Sequence, residues 1–238
     1  MAVSVQAHPE IPALPWADFV DRFRWRQGEH VAAVAPTGAG KTTLLLELIP
    51  LRRHSIFFGT KPDDPLYHKL VNKHGFRRVE SIDEMRSYDE RILLWPKPVK
   101  NDIRATMHKQ QHAFAAAINM IISQGGWTAW LDESKYMAEN LGLKQLLTYL
   151  LEQSRSIKVT VICGGQRPAW LPASTLPNST HLFLWKSNKR EDAQRLADVG
   201  GIDAKMITEQ LKTLDEHEFI YIKTRGTSSQ VVRSQVHS

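Results

Sequence analysis

The sequence predicts an α/β fold, a three-layer sandwich with a mostly parallel central sheet. Short apolar runs, which are typical of buried strands, alternate with longer segments that have the periodicity of amphipathic helices. The clearest case is an apolar run over 31–34 that leads through a glycine-rich loop into a helical run over 42–49. A second apolar run, over 127–131, ends in two carboxylates, Asp132 and Glu133. In folds of this class, ligands bind where the parallel strands end.

Composition limits the classes of protein to which the chain can belong. Its 238 residues are enough for one domain with a sizeable core, and 42% hydrophobic and 24% charged residues are ordinary for a globular protein. The net charge of +6 favours an acidic partner, with nucleic acid as the first candidate. Because Cys163 is the single cysteine, an intramolecular disulfide is excluded and a reducing, cytoplasmic location is expected. No apolar run reaches eighteen residues, so no membrane span is predicted.

The loop over 35–43, APTGAGKTT, has the pattern of a phosphate-binding loop, with alanine where the usual pattern has its first glycine. Its glycines let the backbone turn sharply and direct successive N–H groups inward, and the positive end of the following helix adds to anion binding. Lys41 is expected to reach the β- and γ-phosphates, and Thr42 to hold Mg²⁺ through its hydroxyl. The predicted nucleotide-binding residues are Pro36, Thr37, Gly38, Ala39, Gly40, Lys41, Thr42 and Thr43.

The acidic pair after the second apolar run indicates hydrolysis. Adjacent residues at a strand-to-loop junction point in different directions, so their carboxylates can serve different partners. Asp132 is predicted to bind Mg²⁺, and Glu133 to orient and deprotonate the attacking water. This interpretation implies an additional strand between the strands of the two motifs, an arrangement that hydrolyses ATP rather than transferring phosphate to a metabolite. Gln166 follows a later strand and is predicted to sense the γ-phosphate, with an ordinary loop glutamine as the alternative.

The remaining elements complete a single ATPase domain over 29–223. It is preceded by an arm with a short helix over 1–28 and followed by a flexible tail over 224–238. The aromatic residues of the first helix are expected to pack in the core, with contact to an adenine ring as the alternative. Further strands are predicted over 55–60, 76–79, 91–95, 158–164, 181–185 and 218–223, and helices over 16–26, 64–74, 103–123, 143–155 and 189–199.

Four segments together resemble the FtsK/HerA superfamily of DNA-translocating ATPases, which includes viral genome-packaging ATPases. They are APTGAGKTT (35–43), WLDE (130–133), QSRS (153–156) and VTVICGGQRP (159–168). The last is the most characteristic, because the family has a TQRP-like sequence there; Gly165 stands here in place of the threonine. The resemblance covers roughly 29–223 and implies a RecA-like P-loop core of the additional-strand, catalytic-glutamate type. It further implies ATP and Mg²⁺ as cofactors, a ring of five or six copies, and double-stranded DNA bound independently of its sequence.

The resemblance also implies that Arg155 projects into the nucleotide of the neighbouring subunit. A cation supplied there offsets charge that develops on the γ-phosphoryl group and links hydrolysis around a ring. An ordinary surface arginine at a helix end is the alternative. Arg167 is a second candidate for the role and Arg190 a third. Candidate DNA-contacting loops are 97–104, 134–136 and 167–179, with Trp170 as a wedge between bases.

The sequence shows no appended winged-helix domain and no nuclease-like acidic cluster. These features favour a minimal viral packaging motor, in the host cytoplasm or on the virion, that docks on a capsid portal or vertex protein. Plasmid or conjugative DNA transfer and an assembly or secretion ATPase that moves protein are the alternatives. A nucleotide kinase is a third, which the acidic pair and Gln166 disfavour.

Overall fold

The computed structural model of the protein describes residues 11–187, 190–197, 199, 203–225 and 230–236. Within these ranges nine strands form one sheet: β1 His30–Val34, β2 Ser55–Phe58, β3 Arg77–Val79, β4 Arg91–Leu94, β5 Thr128–Leu131, β6 Thr160–Gly165, β7 Ser179–Trp185, β8 Glu218–Lys223 and β9 Gln230–Gln235. The helices are α1 Trp16–Arg22, α2 Lys41–Leu48, α3 Pro65–His74, α4 Ile103–Gln124, α5 Lys144–Gln153, α6 Thr175–Asn178, α7 Arg190–Ala197 and α8 Ala204–Lys212.

The sheet has the strand order β3-β4-β2-β5-β6-β1-β7-β8-β9. Its neighbouring strands are parallel except in the pairs β7–β8 and β8–β9. Strand β6 therefore separates β1 from β5, which confirms the additional strand between the two motif strands. All five residues of β1 are buried, as expected for a central parallel strand that helices cover on both faces.

Helices cover both faces of the sheet and give the predicted three layers. Alternate residues of β1 belong to two hydrophobic clusters, because successive side chains of a strand point to opposite faces. One cluster includes Phe19 of α1, Leu44 of α2 and Leu70 of α3. The other includes Phe114 of α4 and Leu147 of α5. Among the described helices, which include the 22-residue α4, none is long and apolar enough to cross a membrane.

The predicted elements are found with their ends shifted by a few residues. The first helix ends at Arg22 rather than at 26, and its aromatic Phe19 lies in the core against Phe183 and Tyr221, as expected. Two helices, α6 and α8, were not predicted; α8 begins after Asp203, whose carboxylate accepts hydrogen bonds from two backbone N–H groups of its first turn. Residues 189 and 198 of the predicted helix 189–199 lie outside the described residues.

The C-terminal segment is a strand, so the prediction of a flexible tail is wrong for 230–235. Strand β9 is antiparallel to β8 along its whole length, and Val232 is buried. Burial alternates along β9, with Val232 and Ser234 buried, but the residue types do not alternate, so the sequence lacks the pattern that predicts a half-buried strand. The parts of the predicted tail over 226–229 and 237–238 lie outside the described residues, as do residues 1–10 of the predicted arm.

The described end of the predicted arm is joined to the same strand. The backbone N–H of Arg233 donates to the carbonyl of Pro12 at 2.9 Å, and the N–H of Leu14 donates to the carbonyl of Arg233 at 2.8 Å. Ile11 is buried in the core. The first described residues and β9 thus close the edge of the sheet beside β8.

His30 ties β1 to the neighbouring strand and to the helix before it. Its Nδ1 accepts a hydrogen bond from the backbone N–H of Val161 at 3.0 Å, so the proton of the neutral ring lies on Nε2, which donates to the carbonyl of Leu151 at 3.1 Å. The ring is buried, and this burial lowers the pKa of His30 to about 4. A protonated ring would present an N–H to the N–H of Val161 and lose that bond.

We expect His30 to make the stability of the protein depend on pH. Its pKa is lower in the folded chain than the ordinary value of 6.5, so the unfolded chain binds the proton more readily. The contribution to stability is complete above about pH 6.5 and is lost as the pH falls towards 4. This group alone should lower the free energy of unfolding by about 2 kcal/mol between about pH 7 and pH 5, measured by urea denaturation.

The control is His30→Gln, whose amide can accept and donate in a similar way without titrating. Its free energy of unfolding should change less over this pH range than that of the wild type. Parallel pH profiles for the two proteins would contradict the assignment of this pH dependence to His30.

Candidate active site

The phosphate loop connects β1 to α2 at the carboxyl edge of the parallel strands. Gly38 has a φ of 83° and Gly40 a φ of 100°, both in the left-handed region that favours glycine. Helix α2 begins at Lys41, directly after Gly40, so its free N–H groups face the loop. The backbone therefore has the conformation that the sequence pattern predicts.

A cavity of about 280 Å³ lies at this edge and brings together most of the predicted site residues. They are Pro36, Thr37, Gly38, Gly40, Lys41, Thr42, Thr43, Asp132, Glu133 and Gln166. Ala39 and Arg155 do not line it. The cavity is also lined by five residues for which no role was predicted: Ala35, Lys61, Gly165, His217 and Val236.

Lys41 and Asp132 form an ion pair between their Nζ and Oδ1 atoms, and both side chains are largely buried. The pair crosses the end of β6 at Gly164, where a Cβ atom would lie 2.7 Å from Asp132 Oδ1 and 3.0 Å from Lys41 Nζ. A side chain at 164 would collide with the pair. Gly164 is therefore required by close approach, which the sequence pattern alone did not indicate.

The oxygen atoms at this edge suit a magnesium ion that is bound together with a nucleotide. The Thr42 hydroxyl and the Asp132 carboxylate line the cavity, and hard oxygen ligands of this kind are those that Mg²⁺ prefers. In the part of the chain that the structure describes, no three His, Cys, Asp or Glu residues are grouped to hold a metal. Mg²⁺ would therefore need phosphate and water oxygens to complete its coordination.

Glu133 lies beside a second lysine that was not predicted as part of the site. Lys61 Nζ is 3.7 Å from Glu133 Oε1 and 2.7 Å from Asp64 Oδ2. Burial alone would lower the pKa of Lys61, but the bond to Asp64 and the nearby carboxylates of Asp132 and Glu133 raise it overall. The ammonium group therefore stays charged next to the predicted catalytic base.

The backbone of Lys61 is held by two buried aromatic side chains. The Tyr67 hydroxyl accepts a hydrogen bond from the Lys61 N–H at 3.2 Å, and the indole Nε1–H of Trp95 donates to the Lys61 carbonyl at 2.9 Å. Lys61 follows β2, which pairs with β5, and so it reaches the end of β5. Sequence analysis placed this residue in a turn; its site position depends on which strands are neighbours.

The tip of β6 carries Gln166 into the cavity from between the two motif strands. The hydroxyl of Ser134, which follows the acidic pair, donates to the carbonyl of Gly164 at 3.2 Å and ties the ends of β5 and β6 together. Gln166 is exposed on the cavity wall, a position from which its amide can meet a phosphate oxygen. Its sensing role stays a prediction.

The candidate arginines Arg155 and Arg167 differ in their distance from the cavity and in their ion pairs. Arg155 is exposed in the turn between α5 and β6, at the amino edge of the sheet beside Gly28. The length of β6 places it roughly 20 Å from the cavity of its own chain. Arg167 lies near the cavity but pairs with Glu191 at 2.8 Å and with Asp192 at 3.4 Å. Arg155 therefore cannot serve the nucleotide site of its own chain, whereas Arg167 is neutralised within its own chain.

The fold and the site together define a class of protein. A parallel sheet with a strand inserted between the phosphate-loop strand and the acidic strand is the RecA-like, additional-strand P-loop architecture, the fold and site of an ATP-hydrolysing enzyme.

Comparison with known proteins supports this class at the level of the fold. No protein-family profile matches the chain, and no curated protein matches it. The genome-packaging NTPase B204 of Sulfolobus turreted icosahedral virus 2, solved with ATP-γS, is 15% identical with a TM-score of 0.64, over 89% of this chain and 100% of that one. VirB4 of Thermoanaerobacter pseudethanolicus is 11% identical with a TM-score of 0.63, over 88% and 89%.

A third similar structure is the cytoplasmic domain of the type VII secretion ATPase EccC of Thermomonospora curvata. It is 13% identical with a TM-score of 0.54, over 89% of this chain and 25% of that one. These ATPases have the fold that the resemblance to the FtsK/HerA superfamily implies. At such identities the similarity extends to the fold and not to the roles of single residues.

Replacing Gly164 by alanine should damage nucleotide binding. Its methyl group would displace the Lys41 ammonium and the Asp132 carboxylate from their positions at the cavity, where they would meet the phosphates and the metal. Overpacking of this kind costs about 1–3 kcal/mol, so we expect ATP affinity to fall roughly tenfold. Gly165→Ala is the matched comparison at the same cavity, because its methyl group would meet the side chain of Leu171 and not the Lys41–Asp132 pair. Isothermal titration calorimetry checks both; equal losses for the two variants would contradict this account of Gly164.

Proposed function

We propose that this protein is an ATP-driven translocase of double-stranded DNA that works as a homo-oligomeric ring, in the packaging of a viral genome. The observation that carries the proposal is the division of the site. The phosphate loop, the acidic pair and Gln166 share one cavity, whereas Arg155 lies exposed at the opposite edge of the sheet. Such an arrangement suits hydrolysis at a boundary between two copies of the chain.

The proposal assigns a task to five side chains of the cavity. Lys41 leaves Asp132 and binds the β- and γ-phosphates. Thr42 and Asp132 would hold Mg²⁺, and the ion would supply positive charge beside the phosphate oxygens. Glu133 orients the attacking water and accepts its proton. Gln166 contacts the γ-phosphate and registers its loss. Because the two carboxylates point to different partners, metal binding and proton transfer do not compete for one group.

Arg155 would complete the site of the next copy. Its guanidinium is exposed, and the length of β6 keeps it out of its own cavity. Supplied from a neighbour, it would offset the charge that develops on the γ-phosphoryl group, so that hydrolysis requires contact between copies. The number of copies, five or six, follows from the same family resemblance.

Two of the candidate DNA loops meet beside the cavity. Lys135, two residues after Glu133, places its Nζ 4.9 Å from the ring centroid of Trp170, which is 39% exposed. The guanidinium of Arg167 lies 5.4 Å from the same ring. This Lys135–Trp170 cluster joins the loop after β5 to the loop after β6, so a contact with DNA phosphates there is linked to the hydrolytic residues. The net charge of +6 supports the same partner.

Docking on a capsid portal or vertex protein and a cytoplasmic location stay predictions that belong to the packaging role.

A second candidate function is the transfer of DNA between cells or the secretion of protein. The similarity of the fold to EccC, a type VII secretion ATPase, favours protein secretion as an alternative. Stimulation of hydrolysis by duplex DNA separates a DNA motor from a protein secretion ATPase.

Duplex DNA should stimulate ATP hydrolysis, measured as phosphate release with and without DNA at two salt concentrations. Stimulation should weaken at the higher salt, because phosphate contacts release counterions.

Lys135→Ala should keep the DNA-free rate and need roughly five times more DNA for half-maximal stimulation. Lys69→Ala, an exposed lysine of α3, is the control and should behave as the wild type. Lys41→Ala and Glu133→Gln should abolish hydrolysis throughout. Hydrolysis that ignores DNA would contradict the proposal.

The arginine in trans can be tested by mixing two inactive variants. Arg155→Ala subunits keep an intact cavity, and Lys41→Ala subunits keep the arginine. In a ring formed from equal amounts, about one quarter of the boundaries should combine both, so we expect about one quarter of the wild-type rate. Mixing Arg155→Ala with the double variant Lys41→Ala, Arg155→Ala is the control and should restore nothing. A mixture that is as inactive as its components would exclude this role of Arg155.

A further inference from the structure

Two unpredicted residues line the cavity on the side away from the acidic pair. His217 precedes β8 and Val236 follows β9, and both strands lie beyond β7, on one side of β1. The acidic pair and Gln166 follow β5 and β6, on the other side. Since β8 and β9 pair so that the start of β8 meets the end of β9, His217 and Val236 come together at the edge that carries the phosphate loop. We call these two residues the C-terminal wall.

Hydrogen bonds fix the C-terminal wall in place. The N–H of Val236 donates to the carbonyl of His217 at 3.2 Å, and the side-chain amide of Gln235 donates to the carbonyl of Glu216 at 3.1 Å. His217 has a φ of 63°, a left-handed conformation that directs its ring towards Gly40. The side chain of Val236 packs directly against Gly40. The wall is thus in contact with the phosphate loop itself.

The His217 ring has hydrogen-bonding capacity that the rest of the described chain does not use. Its Nδ1 is buried and finds no hydrogen-bond partner among the described residues, and its Nε2 lies 3.7 Å from the Glu216 carboxylate, too far for a hydrogen bond. The side chain is 25% exposed and lines the cavity. A buried polar atom without a partner is costly, and a ligand group can satisfy it.

The direction in which a nucleotide lies follows from the chemistry of the two sides. The γ-phosphate must face Asp132 and Glu133, because those carboxylates serve the metal and the attacking water. The other phosphates occupy the loop around Gly40 and Lys41. The nucleoside then leaves the loop on the remaining side, which is that of His217 and Val236.

We propose that the C-terminal wall is the part of the site that contacts the nucleoside, with the His217 ring hydrogen-bonded to the sugar or base and Val236 packed against it. The proposal rests on the proposed nucleotide-binding function and adds to it a contact that determines affinity for the nucleoside rather than for the phosphates. Strand β9 is then part of the nucleotide site.

The test compares a nucleotide with its phosphate chain alone. Affinities of the full chain for the magnesium complexes of AMP-PNP and of inorganic tripolyphosphate are measured by isothermal titration calorimetry. His217→Gly removes the ring and suits the left-handed backbone; His217→Asn, which also tolerates it, is the second variant. Lys158→Gly is the matched control, since Lys158 also has a positive φ, of 57°, but lies at the opposite edge of the sheet. Thermal unfolding verifies that each variant is folded.

His217→Gly should weaken AMP-PNP binding at least about tenfold and change tripolyphosphate binding less than about twofold. His217→Asn should change both affinities in the same direction. Lys158→Gly should bind both ligands as the wild type does. Equal weakening of both ligands would mean that His217 acts through the phosphate loop and would overturn the proposal, as would no change for either. If the wild type binds neither ligand, the proposed nucleotide-binding function itself fails. This result is distinguishable from failure of the His217 proposal, because it is seen in the wild type before any substitution. A further comparison of ATP with dATP assigns the contact to the 2′-hydroxyl or to the rest of the nucleoside.

Discussion

The insertion of β6 between β1 and β5 is the constraint on which the site depends. Two strand spacings, about 9–10 Å, separate the strand of the phosphate loop from that of the acidic pair, and the cavity lies across this gap. Lys41 bridges the gap to Asp132 by crossing the end of β6, which is possible because position 164 has no side chain. Gln166 follows the strand in the middle and lies between the phosphate loop and the acidic pair.

The charges of the cavity are balanced within the chain before a ligand enters. Lys41 is paired with Asp132, and Lys61 is close to Glu133 while bonded to Asp64. A triphosphate would compete with the carboxylates for both lysines, and its arrival would release Asp132 for a metal ion and Glu133 for water. In the proposed mechanism, nucleotide binding and the preparation of Glu133 would thus be coupled by exchange of ion pairs.

Local patterns in the sequence predicted the cavity-lining residues that lie in one continuous segment. The glycine-rich loop and the acidic pair are each recognisable because a few neighbouring residues have a fixed geometry, and Gln166 follows from its place after a strand. Lys61, His217 and Val236 escaped prediction because their positions depend on which strands are neighbours and on two hydrogen bonds near the end of β9. Strand β9 itself escaped prediction because one of its buried positions is a serine, Ser234, and its apolar and polar residues do not alternate.

The strand order also determines when the site can form during synthesis. The loop strand β1 emerges from the ribosome early, but its neighbours β6 and β7 follow much later; His30 and Val161, which bond to each other, are 131 positions apart. Val236, which lines the cavity after β9, is synthesised last of the cavity residues. A nascent chain must therefore keep an apolar strand unpaired through most of its translation, a period in which chaperones protect such segments from aggregation.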